Sequence, residues 1–498
     1  MSNKVMICCS TANQTVNLIP FLQLQCTTMI LLSTETAGKK HWTAWLQTLM
    51  ETRGFTIHIA GITSAMEKDI PGIVRLLMST VDEIKPEKLF INIGGGQKSM
   101  TLALHQTMIA LDSKSLAPVK MVYAEANNRE LLIMDSSYQA TRQPISVSLT
   151  LQEILGLYGY EASSYKKLAV RGDQTHSDSA HPFVANAAQL LKTDPLFSEF
   201  FIRYVQSVNP LPDTVKIQET IRKYISALQP EFEDLQPESF PDIVEFSKLR
   251  KKVSAAESQN SFTVEVAVRE IKRFLYPSEI QMRYWSEFKR RLFEKVITNF
   301  TNRSEDGKYD SIIIEQPQTP EAAERLRTLW KSVGGKLSYK ENAIRRSGAQ
   351  LPFKTGEFFE QMVQSEVLEE LKYCDNWSEV YSSVTTTPTE VDSTTAEAEY
   401  DLVIVTVWGT LIILEAKSSV ATGDTIKGKG FGAYKKSGPY GSAIFVNPLT
   451  IEQLQEDGTF KHYVLGTLKD MLQNAEKSRV EYTRFDTLRQ TVKKKLSN

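Results

Sequence analysis

Short apolar runs alternate with longer amphipathic stretches over the first 148 residues. The runs are rich in β-branched residues, and the stretches between them place apolar side chains at helical spacing. The predicted strands are Lys4–Cys9, Thr28–Leu32, Thr56–Ala60, Leu89–Ile93 and Lys120–Ala124, and the predicted helices are Thr15–Leu24, Lys40–Thr52, Ile70–Ile84 and Lys98–Leu111. Strands that alternate with helices predict a doubly wound α/β domain with a parallel sheet.

The pattern changes twice further along the chain. Residues 149–305 read as charged helical segments punctuated by prolines, which predicts a helical middle module. Residues 306–498 return to an α/β pattern, with a helix over Thr355–Lys372 and a strand pair between Tyr400 and Ala416. Three domains, 1–148, 149–305 and 306–498, fit a chain of 498 residues, since domains average roughly 150 residues.

Composition and charge narrow the class of protein. Hydrophobic residues at 41% and charged residues at 23% are typical of a folded globular chain. The formal charge of -1 excludes binding to nucleic acid through the overall field, so any such contact must be local. The four cysteines have no zinc-knuckle spacing, and we find neither a secretory signal nor a membrane-length apolar run. We therefore expect a cytoplasmic protein without a membrane partner.

The most informative segment is a pair of apolar strands joined through Val407, Trp408 and Gly409. Glycine readily adopts the left-handed backbone that a three-residue hairpin loop requires. With that loop, Asp401 lies opposite Glu415 on the neighbouring strand, and Lys417 shares their face because side chains alternate along a strand.

Two carboxylates and an ammonium group at the end of a buried hairpin suit phosphodiester hydrolysis with Mg²⁺ or Mn²⁺. Lys417 would orient or help deprotonate the attacking water and offset charge on the transition state. A structural ion pair is the competing interpretation, because triplets such as Glu83-Ile-Lys85 occur elsewhere in the chain. None of those triplets ends an apolar strand that follows another apolar strand beginning with an acid.

These residues resemble the PD-(D/E)xK nuclease superfamily, with Asp401 as the first acid and Glu415-Ala-Lys417 as the terminal motif. The resemblance implies a restriction-endonuclease-like α/β domain at the C-terminus. The helix from Gly356 to Val363 is similar to a glycine, aromatic and glutamate helix of one branch of that superfamily. By that resemblance Glu360 is catalytic with the hairpin residues and joins Asp401 and Glu415 in holding the metal.

A glycine-rich stretch, Lys427–Gly441, follows Lys417 and contains Lys427, Lys429, Lys435 and Lys436. We expect a loop that approaches a nucleic-acid backbone closely and neutralises it. It resembles the lysine and glycine region of the same nuclease branch, and a plain flexible loop is the alternative.

Two polar turns follow strands of the N-terminal domain. One reads Gly94-Gly95-Gly96-Gln97-Lys98-Ser99, and the other contains Thr11, Asn13 and Gln14. Glycines admit a ligand to the backbone, and a helix N-terminus offers N–H groups to an anion. Both turns should lie at the carboxyl edge of the sheet, where doubly wound folds bind ligands. Taken singly, each could equally be helix capping.

Together the two turns resemble CARF domains, the Rossmann-like sensors of type III CRISPR defence. The resemblance implies a bound cyclic oligoadenylate, with cyclic tetra-adenylate as the expected activator, in contact with Thr11, Asn13, Gln14, Gly95, Gly96, Gln97, Lys98 and Ser99. With a PD-(D/E)xK domain, the chain is similar to CARF ancillary nucleases, which act as homodimers. The implied function is a cyclic-oligoadenylate-activated, metal-dependent endonuclease of antiviral defence that cuts DNA, with RNA as a further candidate substrate.

Two alternative functions stay open. The chain could be a ligand-sensing regulator that binds nucleic acid through its middle helices and carries an idle nuclease domain. It could also be a ring nuclease, in which the CARF domain slowly degrades the cyclic oligoadenylate around Lys98 or Ser99.

Overall fold

The computed structural model describes residues 3–114, 118–125, 130–173, 181–207, 312–314, 319–339, 344–345, 348–389, 398–418, 423–448 and 471–497. The chain divides into two compact units, the first formed by residues 1–188, 356–456 and 466–498, and the second by residues 189–355 and 457–465. The described elements are numbered below in chain order.

The first unit contains a seven-stranded sheet in the order β3-β2-β1-β4-β5-β6-β7. Its strands are β1 (Lys4–Cys9), β2 (Thr28–Thr34), β3 (Thr56–Ile62), β4 (Lys88–Asn92), β5 (Val119–Glu125), β6 (Glu130–Met134) and β7 (Ala140–Pro144). The first five are parallel, and the hairpins to β6 and β7 are antiparallel. Its helices are α1 (Thr15–Gln23), α2 (Glu35–Lys39), α3 (Trp42–Thr52), α4 (Ile70–Ile84) and α5 (Lys98–Ser113). This arrangement confirms the predicted Rossmann-like domain.

Burial explains why the sequence pattern predicts this sheet well. Ile7 and Ile30 on the central strands pack in one apolar core with Leu77 of α4 and Leu104 of α5. Helix α4 has the predicted bounds, because Asp69 caps its first turn by accepting the Gly72 amide at 3.0 Å.

The same unit contains a six-stranded sheet in the order β17-β16-β15-β14-β13-β8. Its strands are β8 (Tyr160–Val170), β13 (Trp377–Pro388), β14 (Ala398–Thr406), β15 (Leu411–Ala416), β16 (Ser442–Asn447) and β17 (Val480–Arg484). The helices of this part are α6 (Leu151–Gly156), α10 (Thr355–Leu371), α11 (Gly423–Ser437) and α12 (Leu488–Ser497). Strands β8, β13, β14 and β15 pair antiparallel with their neighbours, whereas β15, β16 and β17 pair in parallel.

The second unit is described over part of its length. Its elements are α8 (Pro195–Ser207), β9 (Ile312–Ile314), α9 (Pro320–Ser332), β10 (Lys336–Leu337), β11 (Ile344–Arg345) and β12 (Ala349–Gln350), and α7 (Pro182–Thr193) precedes them. Trp330 is fully buried, with its ring centroid 4.9 Å from that of Phe200 and 5.1 Å from that of Tyr204. Most of the predicted middle helices fall in residues 208–311, outside the described residues.

Two segments differ from the sequence-based expectation. Strand β8 lies within the stretch predicted to be helical, where residues 163–167 are all exposed and therefore show no alternating pattern. The stretch predicted as a lysine and glycine loop is mostly helix α11. Its glycines permit close packing, because a methyl group at Gly432 would lie 2.5 Å from the Tyr400 hydroxyl.

Among the helices that the structure describes, we find none with the length and apolar composition needed to cross a membrane.

Candidate functional site

The hairpin of β14 and β15 has the predicted loop and register. Leu402 pairs with Leu414, and Val405 pairs with Leu411. Gly409 has a φ of 71°, the left-handed value that the loop requires. The next pair in this register is Asp401 and Glu415, so the two acids lie across from each other at the open end of the hairpin.

Asp401, Glu415 and Lys417 form one acid cluster. The Ala416 amide donates a hydrogen bond to Asp401 Oδ2 at 2.7 Å. Lys417 Nζ lies 2.7 Å from Glu415 Oε1 and 3.9 Å from Asp401 Oδ2. The Glu415 side chain is only 5% exposed, so its charge is shielded from solvent and depends on nearby cations.

A second lysine, which the sequence did not lead us to expect here, reaches the same glutamate. Lys429 of α11 places its Nζ 2.6 Å from Glu415 Oε2 and donates a hydrogen bond to the Glu399 carbonyl at 2.6 Å. Glu415 Oε2 is buried and accepts no hydrogen bond from the described residues. Lys429 therefore pairs with this oxygen by charge rather than by hydrogen-bond geometry.

Burial and like charge perturb the acids. Burial, followed by the charge of Glu415, raises the pKa of Asp401 to about 7. Burial also raises the pKa of Glu360, although Lys417 opposes that shift. For Lys417, burial lowers the pKa, but Asp401 and Glu415 outweigh it and the net pKa is raised. Lys417 thus keeps its proton beside the two carboxylates.

Helix α10 brings Glu360 into electrostatic range of the cluster. The buried side chains of Phe359 and Val363 hold this face of the helix in the core, and the half-buried Glu360 carboxylate interacts with the charges of Lys417 and Glu415. Across the part of the chain that the structure describes, no three His, Cys, Asp or Glu side chains stand close enough to hold a metal ion together. The carboxylates of the three predicted metal ligands interact electrostatically. They do not lie close enough together to coordinate one ion with all three side chains.

The residues nevertheless fit a hard divalent cation. Mg²⁺ usually keeps several waters and needs only one or two protein carboxylates. Glu415 Oε2 is a buried acceptor that receives no hydrogen bond from the described residues and is balanced by the charge of Lys429, and Asp401 is a second carboxylate on the same face. Both features are typical of a site where a cation offsets clustered negative charge.

The other lysines of α11 divide between its two sides. Lys427 is exposed, and Lys435 places its Nζ 4.6 Å from the centre of the exposed Phe431 ring. Lys436 is only 5% exposed, with its Nζ 4.5 Å from the centre of the Tyr160 ring. Burial lowers the pKa of Lys436 to about 8. Of the four lysines predicted to contact nucleic acid, Lys436 is buried and Lys429 faces the acids.

The two polar turns of the first sheet lie against each other, because β1 and β4 are neighbouring strands. A methyl group at Gly96 would lie 2.7 Å from Cys9 Cβ, and one at Gly95 would lie 3.0 Å from Thr11 Cγ2. Gly96 has a φ of 95°, which favours glycine. The glycines therefore allow the second turn to pack directly on the first.

The second turn presents polar groups to solvent at the start of α5. Gln97 and Lys98 are exposed, and Ser99 is half-buried. Lys98 is the first helical residue, and no acid occurs in the first turn. A cation beside a helix N-terminus is unfavourable by itself but suits a bound anion such as a phosphate.

Asn13 and Gln14 are buried and bonded within the protein. Gln14, only 1% exposed, donates hydrogen bonds to Ser10 Oγ at 3.0 Å and to the Trp42 carbonyl at 3.1 Å. Asn13 Oδ1 accepts the hydroxyls of Thr15 at 2.6 Å and Tyr158 at 3.3 Å. These two side chains therefore stabilise the first turn from within. Thr11 and the glycine turn lie on the more exposed side.

Sequence reasoning missed the polar network under these turns. Asn17 donates a hydrogen bond to the Cys9 carbonyl at 2.7 Å, and Asn92 donates one to Asn17 Oδ1 at 2.9 Å. Asn92 Oδ1 also accepts the Gly94 amide at 3.0 Å. The available signal was an asparagine at the end of an otherwise apolar strand.

Comparison with known proteins gives a family match over the N-terminal part of the chain. Residues 7–154 match the family model of the Card1 CARF domain. No curated protein matches the chain.

Two solved structures share the fold. Protein VC1899 from Vibrio cholerae is 11% identical, with a TM-score of 0.52 over 99% of this chain and 97% of that one. Can2 from Sulfobacillus thermosulfidooxidans, solved in complex with cyclic tetra-adenylate, is 12% identical, with a TM-score of 0.52 over the same shares.

Proposed function

We propose that this chain is a cyclic-oligoadenylate-activated, divalent-metal-dependent endonuclease of type III CRISPR antiviral defence. The observation that carries the proposal is the cluster of Asp401, Glu415 and Lys417 on one hairpin of a chain that begins with a CARF domain. Can2, which shares the fold, was solved with cyclic tetra-adenylate, and this supports the same compound as the activator here.

The acids and the lysine have separate tasks in this proposal. A divalent ion held by Asp401 and Glu415, with Glu360 adding negative charge nearby, would stabilise charge on the scissile phosphate. Lys417 stays protonated, so it orients the attacking water and neutralises a phosphate oxygen rather than acting as a base. The Ala416 amide, which donates to Asp401 at 2.7 Å, fixes the direction of that carboxylate.

The outer face of α11 supports nucleic acid as the substrate. Phe431 and Tyr434 are 59% and 56% exposed, and Lys427 and Lys435 lie on the same side at helical spacing. Exposed aromatic rings beside lysines can stack on bases while the ammonium groups contact phosphates. We propose DNA as the substrate and RNA as a further candidate, with Lys427 and Lys435 as the phosphate contacts.

The proposed ligand site is the paired turns of the CARF domain. Thr11, Gly95, Gly96, Gln97, Lys98 and Ser99 would contact the cyclic oligoadenylate, and Asn13 and Gln14 would hold the first turn in shape. A homodimer with the ligand on its two-fold axis is part of the proposal. Sedimentation of the full chain should give twice the mass of one chain.

Cleavage assays with two substrates test the activity. Supercoiled plasmid and single-stranded RNA would be incubated with Mn²⁺ and cyclic tetra-adenylate, using wild type, Lys417→Ala and Asp401→Asn. Both variants should lose cutting while retaining wild-type affinity for the ligand. Ligand binding without cutting by the wild type would favour the regulator. Ligand breakdown that persists in Lys417→Ala would favour the ring nuclease.

A further inference from the structure

Helix α11 contacts the hairpin of β14 and β15 both through its middle and through its last residue. Lys429 contacts Glu415 Oε2 at 2.6 Å. Two turns later, Ser437 accepts the Leu411 amide at 2.6 Å, next to the hairpin loop. The second half of the helix is therefore attached to this hairpin at two points.

One face of α11 packs against the ring of Tyr400. Lys429 Nζ lies 5.0 Å and Lys436 Nζ 5.3 Å from the centre of the Tyr400 ring. Between them, a methyl group at Gly432 would lie 2.5 Å from the Tyr400 hydroxyl. Residues spaced by three and four share a helix face, so a shift of the C-terminal end of the helix would also move Lys429.

Tyr158 connects the end of α11 with the turn between β1 and α1, which is the first of the two proposed ligand turns and is called the ligand turn below. Gly438 follows the helix with a φ of 70°, and a methyl group there would lie 2.4 Å from the Tyr158 hydroxyl. That hydroxyl donates a hydrogen bond to Asn13 Oδ1 at 3.3 Å. A side chain of the turn between β1 and α1 thus touches the residue that packs on the end of α11.

The hairpin loop joins the same packed region. A methyl group at Gly409 would lie 3.1 Å from Thr15 Cγ2 and 2.9 Å from Leu149 Cδ1. Thr15 donates a hydrogen bond to Asn13 Oδ1 at 2.6 Å. A change in the turn at Asn13 therefore acts on both the loop of the catalytic hairpin and the end of α11.

We infer that Lys429 is a positioning residue that blocks the cation side of Glu415, and that Tyr158 couples it to the ligand turn. This inference rests on the proposed function and names its regulation. The ammonium group of Lys429 competes with a divalent cation for Glu415 Oε2, because two positive charges on one oxygen repel each other. A ligand that binds better when α11 is shifted would favour the arrangement with Lys429 withdrawn.

Mn²⁺ binding, measured on the full chain by electron paramagnetic resonance, tests the block without relying on cutting. Cyclic tetra-adenylate should raise the Mn²⁺ affinity of the wild type by about fivefold or more, the usual size of coupling between sites. Lys429→Met should show the higher affinity without ligand, and ligand should then change it less than about twofold. Lys494→Met, which removes the same charge from an exposed pair with Glu481, should behave as the wild type does.

Tyr158→Phe tests the coupling, because it removes only the hydroxyl. The variant should melt as a folded protein and bind cyclic tetra-adenylate within about threefold of the wild type. Its Mn²⁺ affinity should no longer respond to ligand, a loss of the coupling expected for the wild type. A wild-type response in this variant would overturn the role of Tyr158.

Wild-type Mn²⁺ affinity in Lys429→Met, with the ligand effect intact, would overturn the role of Lys429. If ligand-dependent plasmid cutting occurs in those samples, the nuclease stands and the block is wrong. If the Mn²⁺ results agree with the block but no nucleic acid is cut, the nuclease proposal fails and the coupling stands.

Discussion

Asp401 faces Glu415 across the β14 and β15 hairpin, and burial together with the charge of Glu415 raises the pKa of Asp401 to about 7. The Ala416 amide and Lys417 offset part of this cost, but they do not remove it. Two neighbouring carboxylates that are costly to ionise destabilise the folded protein, and such pairs are typical of sites that bind a cation.

Asp401→Asn should stabilise the protein at pH 8. The unfolded Asp401 ionises near a pKa of about 4, whereas the folded side chain keeps its proton up to about 7. The folded wild type therefore loses stability as pH rises from about 4 to 7, and the asparagine variant does not. We expect a gain on the order of 2 kcal/mol at pH 8 and almost none at pH 4.

Urea unfolding of both proteins at pH 4 and pH 8 measures this difference. Asp375→Asn is the control, because Asp375 is 81% exposed and pairs with Arg171 at 2.7 Å. Its effect should stay below about 1 kcal/mol at both pH values. A less stable Asp401→Asn at pH 8 would show that the carboxylate is a favourable structural ion-pair partner.

Lys436→Met should stabilise the protein near neutral pH. The folded Lys436 has a pKa of about 8, below its unfolded value of about 10.4. The unfolded chain then binds the extra proton between these values, so the stability of the wild type rises from pH 8 to pH 10. The gain from the variant, on the order of 1 kcal/mol at pH 7, should shrink by pH 9.5. Denaturant unfolding at both pH values measures this gain in stability. A gain that does not change with pH would contradict the prediction.

Gly96→Ala should distort the glycine turn between β4 and α5. The residue has a φ of 95°, and the added methyl group would lie 2.7 Å from Cys9 Cβ. We expect a loss of about 1–3 kcal/mol of stability and weaker binding of cyclic tetra-adenylate. Gly38→Ala is the matched control, because a methyl group there has no neighbour within 4 Å. Thermal melting and calorimetric titration measure both effects, and equal behaviour of the two variants would contradict the packing of the turns.

Lys98→Met should weaken ligand binding with little effect on folding. Lys98 is exposed at the first position of α5, where a phosphate would meet both its ammonium group and the helix N-terminus. Losing one charged hydrogen bond should reduce affinity by about tenfold or more. Lys114→Met, at the opposite end of the same helix, should bind normally. Equal affinity of the Lys98 variant and the wild type in calorimetry would remove Lys98 from the ligand site.

The sequence pattern predicts the first sheet and the hairpin of β14 and β15 because each depends on local rules. Apolar strands such as Lys4–Cys9 and the glycine at position 409 determine strand positions and the register of Asp401 with Glu415. Helix α11 could not be predicted in this way, since its glycines are poor helix formers and its stability comes from tertiary packing on Tyr400. The pairing of Lys429 with Glu415 depends on that packing and was missed for the same reason.

Strand β8 illustrates the same limit. Its partner β13 is more than 200 positions away along the chain, and its polar central residues lack the alternation that identifies a half-buried strand. The burial of Asn13 and Gln14 could not be predicted from the sequence either, because polar turn residues can face either a ligand or the protein interior.

The most direct measurement of the central claim is the rate of supercoiled plasmid cutting by the full chain in Mn²⁺, with and without cyclic tetra-adenylate. We predict cutting that requires the ligand and is lost in Lys417→Ala, while that variant binds the ligand as the wild type does. Cutting at the same rate without ligand, or undiminished cutting by Lys417→Ala, would contradict the account.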